Sequence, residues 1–452
     1  MNHVWRTSTA IALIILASSA PIQVFAQGSL PVKSGTGTTT EIDLPTALQL
    51  AGANNLDLAI AREAMKQAEA QELQATEKFF PYFTLGTQYA GHDGAFASAD
   101  GTIIETNKEA YGNAAAVGAQ MSLGDAIFQK MATRELSAGA AAGVDAQKGV
   151  TVLSAATGYF DLVSAAVEVG IARDALGFSQ SYQDQLERAV GIGLANRSDA
   201  LGVRVQTQSY QIALRQAEEQ LRSAAAVLAQ TLHIASSGVL TPHDTVPVPV
   251  TVVQGSSVED LTARALSSRP ELTQSLANIN AADWARLGGT YGPLLPTISA
   301  QYADGELRGG PNGAEIGFRH AQDTAVMLNW RIGAGGLFDI GRINEAESKL
   351  HQAVLGDLKL RDDIVRQVIQ SYEAVQSAKD QIALARDNVE NATQALNLAQ
   401  QRKEFGVAAV LETIQTQQQL VQARRDLAKA ITQHNKAQYS LAHAIATPDL
   451  SP

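Results

Sequence analysis

The stretch Glu77 to Ala90, EKFFPYFTLGTQYA, joins two incompatible patterns. Upstream of it runs a long Ala/Gln/Glu-rich segment of helical character. That run halts at Pro81, because proline has no N–H to continue a helix. Beyond Pro81 the period changes to two: Phe83, Leu85 and Tyr89 fall on one face, and Thr84, Gly86 and Gln88 on the other. The device returns at Tyr291 to Ala303, YGPLLPTISAQYA, where an apolar pair, Pro296 and an alternating run follow in the same order.

Each such strand has a companion. In AVGAQMSLG, Val117, Ala119, Met121 and Leu123 oppose Gly118, Gln120, Ser122 and Gly124. Further on, Ile298, Ala300 and Tyr302 oppose Thr297, Ser299 and Gln301, and Val326, Leu328, Trp330 and Ile332 oppose Met327, Asn329, Arg331 and Gly333. Each run is about as long as a tilted membrane strand requires, and alternation of this kind suits a barrel with lipid outside and water within. The Gly/Asp/Asn-rich intervals 91–113 and 304–323 then read as its outer loops. Four strands cannot close such a barrel, and an open edge in lipid leaves backbone groups unpaired, so several chains must share one.

Proline placement organises the rest. None occurs between Pro81 and Pro242, or between Pro311 and Pro448, whereas Pro242, Pro247 and Pro249 cluster in TPHDTVPVPV. Helix interiors and central strands expel proline, so the cluster reads as a linker between two halves. The halves match in order: NNLDL (54–58) with SRPEL (268–272), Pro81 with Pro296, and GLANRSDAL (193–201) with GVAAVLETI (406–414), offset by 213 to 215 residues. One duplicated unit results. The chain divides into a signal peptide over 1–26, a first repeat over 27–241, a linker over 242–256, a second repeat over 257–447 and a tail over 448–452. Within the second repeat, Ile382, Ala385, Val389, Ala392, Leu396 and Ala399 keep a 3,4 spacing, as do Leu420, Ala423, Leu427, Ala430, His434, Ala437 and Leu441. These spacings predict paired coiled-coil helices. A continuous helix over 343–404 would be about 90 Å long.

The N-terminus carries Arg6, the apolar run Ala10 to Ala17, and small residues at Val24-Phe-Ala26, the signature of a secretory signal. Among the chain's 452 residues there is no cysteine, so no disulfide or thiol-linked lipid is available. Lys and Arg number 34 against 45 Asp and Glu, a formal net charge of −11 that argues against nucleic acid as a partner. Beyond the signal no uninterrupted apolar run of membrane-spanning length is apparent, which leaves strands as the means of crossing.

These features together resemble the TolC-like family of outer membrane efflux proteins. They comprise LPTALQLAGANNLDLAIAREAMKQAEAQ (44–71) leading into FFPYFTL, its echo LLPTISA, the glycine tips, and the strand-to-helix passage LNWRIGAGGLFDIGRINEA (328–346). The resemblance implies a mainly α fold with a membrane β-barrel part: a homotrimer whose chains each give four strands to a twelve-stranded barrel and paired helices to a periplasmic tunnel. It implies an exit duct in the outer membrane of a Gram-negative cell. Substrates would reach it from an inner-membrane pump of resistance-nodulation-division, ABC or major facilitator type, through a periplasmic adaptor. Pro81 and Pro296 then mark helix-to-strand transitions. The tips would meet the adaptor through Gly193, Asn196, Gly406 and Ala408. Asp199 and Glu412 each stand six residues after a tip glycine and are gate candidates by the resemblance, with Gln415 where a second family carboxylate is expected. Ala408 replaces the family arginine, for which Arg402 and Lys403 are the substitutes.

Catalysis has no support. The eight histidines include no metal-binding pair of the His-Glu-x-x-His kind, and GIGLAN lacks the third glycine of a dinucleotide loop. No cofactor or metal is expected. The competing reading is a non-conducting periplasmic coiled-coil structural or adaptor protein, which the barrel-strand pattern opposes.

Overall fold

The computed structural model describes residues 40–98, 100–234, 240–244, 246–311, 316–404 and 410–447. The segments 1–26 and 448–452, Gly406, Ala408 and the side chain of Lys403 lie outside the described residues. The chain runs β1 (Thr40–Ile42), α1 (Leu44–Asn54), α2 (Leu56–Glu77), β2 (Tyr82–Ala97), β3 (Ile103–Ser122), α3 (Leu123–Gly191) and α4 (Arg197–Thr231). It continues with β4 (Leu240–Pro242), α5 (Val258–Ser268), α6 (Pro270–Tyr291), β5 (Thr297–Pro311), β6 (Ile316–Asn329), α7 (Ile340–Glu404) and α8 (Val410–Ala444). Two helices, two long strands, a long helix and a shorter one thus occur twice in succession.

Local signals set the helix starts. Asp43 caps α1, its Oδ1 accepting from Thr46 N at 3.0 Å, and Asn55 caps α2, accepting from Leu58 N at 3.0 Å. Pro270 opens α6, where a missing N–H costs nothing. The long helices α3 and α7 have 69 and 65 residues, and at 1.5 Å per residue each is about 100 Å long. Their partners α4 and α8 have 35 residues each, so the remaining length is covered by α2 and α6. Along the α7/α8 seam Ile382, Ala385, Ala392, Leu396 and Ala399 are buried against Leu420, Ala423, Ala430, His434, Ala437 and Leu441, where small Ala knobs bring the helices close. One 18-residue window of α3 is apolar enough on average to cross a membrane, although it is no uninterrupted apolar run, and half of it is buried. The buried face of α3 includes Ala155, Tyr159, Phe160, Leu162 and Val163 in a core shared with α1 and α4.

The Pro-rich segment is a strap packed on α8. The Asn435 side chain accepts from Val250 N at 2.8 Å and donates to Val248 O at 2.9 Å, and Gln438 Oε1 accepts from Val252 N and Val253 N at 3.2 and 3.1 Å. Ahead of the strap β4 pairs in parallel with β1, and the Tyr159 hydroxyl donates to Asp244 at 2.7 Å.

The four long strands form one antiparallel sheet in the order β2-β3-β5-β6. Six strand boundaries differ from those read in the sequence. β2 runs to Ala97 and β3 starts at Ile103, so most of the interval 91–113 is paired strand. Likewise β5 reaches Pro311 and β6 begins at Ile316, inside the expected loop 304–323. Leu123 and Gly124 belong to α3, and β6 stops at Asn329, before Trp330 to Gly333. Backbone pairing continues where hydropathy no longer alternates, which is why side chains alone cut the strands short at 91–113 and 304–323; at Leu123 and Trp330 alternation instead runs past the pairing.

Candidate functional site

The sheet has two unlike faces. On one lie Phe83, Leu85 and Tyr89 of β2, Val117, Ala119 and Met121 of β3, Ile298, Ala300 and Tyr302 of β5, and Val326 and Leu328 of β6, brought together by the register. Phe83, Leu85 and Val326 are each more than 60% exposed, so none of the described residues covers this surface there. The other face is lined by small and polar residues, among them Gly86, Gln88, Ala114, Ala116, Gly118, Gln120, Ser299, Gln301 and Ala303. Close approach forces glycine at 305, where a Cβ would meet Asn113 O at 2.1 Å, and the Tyr82 ring lies over Gly118. A surface apolar on one side and wet on the other is what a lipid-bounded wall needs.

Helix passes to strand at two similar joints. α2 ends at Glu77, and Pro81 stands directly before β2; α6 ends at Tyr291, a 3-10 turn spans Gly292–Leu294, and Pro296 stands directly before β5. Pro296 O also accepts from Leu123 N at 3.3 Å, tying the start of α3 to this joint. A Cβ on Gly124 would lie 2.1 Å from Gly292 O, so α3 and the turn touch backbone to backbone. From β6 into α7 the chain makes a tight loop in which Leu337 N donates to Arg331 O, and Phe338 takes a positive φ of 68°. Arg342 closes the joint, donating to Asp125 Oδ1 and Gly288 O, both at 3.1 Å.

At the far end of the helices lies the tip. α3 ends with Gly193 at φ 76°, Gly193 N donating to Val190 O and Leu194 N to Ala189 O, a left-handed cap that satisfies the last carbonyls. Asn196 occupies the N-cap of α4 without a side-chain capping bond, and Asp199 lies in the first turn. Ile192 and Leu194 are 72% and 79% exposed. Tyr182, Leu186 and Val203 form an apolar knot joined by Ala195, Ala200, Val410 and Ile414, so the ends of both hairpins meet. Burial pushes the Tyr182 phenol up from its usual pKa, with the Asp199 carboxylate adding in the same direction. Glu412 lies in the first turn of α8 and accepts at 2.7 Å from Arg402 Nη1, near the end of α7. Gln415 is exposed.

Where the two halves join, a cavity of about 840 Å³ lies between α1, α3, the α5/α6 corner and the end of α8. Arg269, 5% exposed, grips Glu271 with two hydrogen bonds of 2.9 and 2.7 Å and donates to Gln367 and Ala444 O at 3.2 Å. Burial and the neighbouring guanidinium hold the His443 imidazole below its usual pKa, against the opposing pull of Glu271. Neither this cluster nor the residues His92, Lys108 and Arg319 on the small-residue face of the sheet was singled out in the sequence. For the latter the available signal was the two-residue spacing of Ile104, Thr106, Lys108 and Ala110 through the interval read as a loop. Among the described residues no three His, Asp or Glu side chains gather as a metal site.

Residues 261–447 match the family model of the outer membrane efflux protein. Over 183 residues the chain is 27% identical to the outer membrane efflux protein BepC of Brucella suis biovar 1 (strain 1330), a match spanning 40% of this chain and 39% of that relative. The fold is shared with solved structures. A membrane protein from Pseudomonas aeruginosa superposes with a TM-score of 0.77 at 17% identity, covering 89% of this chain and 93% of that one. VceC, an outer membrane protein of Vibrio cholerae, does so with 0.73 at 16% identity, covering 89% and 95%.

Proposed function

We propose that this chain, with an outer membrane efflux match over residues 261–447 and the fold of solved bacterial membrane proteins such as VceC, is a passive exit duct of the outer membrane. The observation that carries this reading is the four-stranded sheet, with one bare apolar face and two open edges, mounted on helices about 100 Å long. Lipid can cover the bare face. Only further strands can cover the edges of β2 and β6, since unpaired backbone groups in hydrocarbon cost several kcal/mol each. Three chains giving twelve strands close such a wall, and the helices then enclose a periplasmic tunnel. The repeats 27–241 and 257–447, joined at 242–256, supply matching halves to each chain's share. An inner-membrane pump and a periplasmic adaptor would deliver the substrate, the adaptor meeting the tips around Gly193, Asn196, Gly406 and Ala408, where Ile192 and Leu194 offer apolar contact.

Asp199 and Glu412 are proposed to set the ionic character of the tunnel entrance. Pairing with Arg402 neutralises much of Glu412's field, which leaves Asp199 the stronger candidate for repulsion between chains and attraction of cations. Each acid also sits where the positive end of a helix favours it, by about 0.3–1 kcal/mol. Planar bilayers test the whole reading: the cross-linked oligomer should conduct and the monomer should not. Steps of current from monomer alone would overturn it. For the entrance, Asp199→Asn should weaken cation selectivity with the oligomer intact, and unchanged selectivity would reduce Asp199 to a helix-end stabiliser.

A further inference from the structure

At the end of the sheet remote from the helices, the small-residue face changes character. His92 pairs with Lys108, Phe96 with Ile104, and Leu307 with Arg319, so these six side chains share that face and surround an open cavity of about 680 Å³. Lys108 Nζ stands 3.2 Å from the centroid of the Phe96 ring, and His92 meets the same ring edge-on at 5.7 Å. Leu307 crosses over Gly112, where a Cβ would come within 3.0 Å of its Cδ2. The cavity thus has apolar walls from Phe96, Ile104 and Leu307, and two cations, Lys108 and Arg319, at its rim; the charged side chains of Glu109 and Arg308 lie on the opposite face, where they meet Tyr111. His92 Nε2 is buried with no hydrogen-bond partner among the described residues, a polar atom that a bound ligand or its water could satisfy. These are unusual surroundings in a chain of net charge −11.

We propose that this cavity is a binding site for amphipathic anions, molecules with an apolar body and a carboxylate or sulfonate head, at the outer mouth of the duct. It rests on the duct reading in one respect: the small-residue face must be the lumen. The apolar body fits against Phe96, Ile104 and Leu307, whose burial supplies affinity. The head meets Lys108 and Arg319, which select its sign. Uncharged molecules of the same shape lose the second contribution, and small inorganic anions lose the first. With one site on each chain, a cargo leaving the lumen meets a cationic, apolar rim after the acidic tunnel entrance.

The probe is anilinonaphthalene sulfonate, titrated by fluorescence into the oligomer in nanodiscs, with current recorded from the same preparation in bilayers. Binding to the double variant Lys108→Gln/Arg319→Gln, and separately to Phe96→Ala, should be about tenfold weaker than to the parent. Uncharged phenylnaphthylamine should discriminate little between parent and double variant. Retention of the heat-modifiable oligomer reports that each variant is folded. Equal binding of the sulfonate by parent and variants, or equally strong binding of the uncharged probe, overturns the site. Conductance without variant-sensitive binding removes the site and leaves the duct; variant-sensitive binding without conductance does the reverse. Loss of both overturns both.

Discussion

Replacing Asn435 by Leu should release the Pro-rich strap from α8. The Asn435 side chain is 3% exposed and makes two hydrogen bonds to the strap, from Val250 N at 2.8 Å and to Val248 O at 2.9 Å. Leucine preserves volume but leaves an N–H and a carbonyl facing apolar surface. At about 1–3 kcal/mol for each unsatisfied group, softened by the partial burial of the strap, the cost is about 2–4 kcal/mol. Prolines at 247 and 249 have no amide hydrogen, so the Val250 amide is the clean reporter. Hydrogen exchange at Val250 should accelerate roughly 30- to 700-fold, at ~1.4 kcal/mol per factor of ten. Gln438→Ala should have a smaller effect, because its two bonds, 3.2 and 3.1 Å long, share one oxygen. Unchanged exchange at Val250 in the Asn435 variant would refute the strap's dependence on this amide.

Three other outcomes follow from the geometry. Gly124→Ala should destabilise the sheet–helix joint by about 2 kcal/mol or more, read as a fall in the protein's melting temperature, since its Cβ would sit 2.1 Å from Gly292 O. Phe338→Gly should raise thermal stability by about 1 kcal/mol, because φ 68° strains a bulky residue that is 79% exposed. His443 has a folded pKa below its usual 6.5, so below that pH the unfolded chain binds the proton first and stability falls; above it the effect vanishes. His443→Gln should flatten the melting-temperature profile on the acid side of 6.5, and an unaltered profile would show that another group titrates.

What the sequence revealed was set by what its patterns report. The 3,4 spacing of Ile382 to Ala399 reports burial, and burial is what defines the α7/α8 seam. Alternation after Pro81 and Pro296 reports two unlike faces, so it located the strands. It could not locate their ends, because past Tyr89 the residues Gly91, Asp93 and Ala95 no longer contrast with their neighbours although pairing runs on to Ala97. The mouth cavity was hidden for the same reason, lying in intervals read as loops. The strap escaped notice differently: Asn435 and Val250 are 185 residues apart, and a single amide on a helix announces no partner. Arg402 and Glu412, ten residues apart, are near enough in sequence to be considered together.

The open edges of β2 and β6 have a consequence for how much of the protein a cell can make. A lone chain cannot satisfy either edge, and in the proposed trimer each is satisfied only by another copy. Closure of the wall is then a reaction of higher order in chain concentration, whereas capture of an exposed edge by any stray strand competes with it. Too little synthesis starves assembly; too much feeds aggregation. The yield of closed walls should therefore pass through a maximum as expression rises, and the position of that maximum measures how well the two edges prefer each other to strangers.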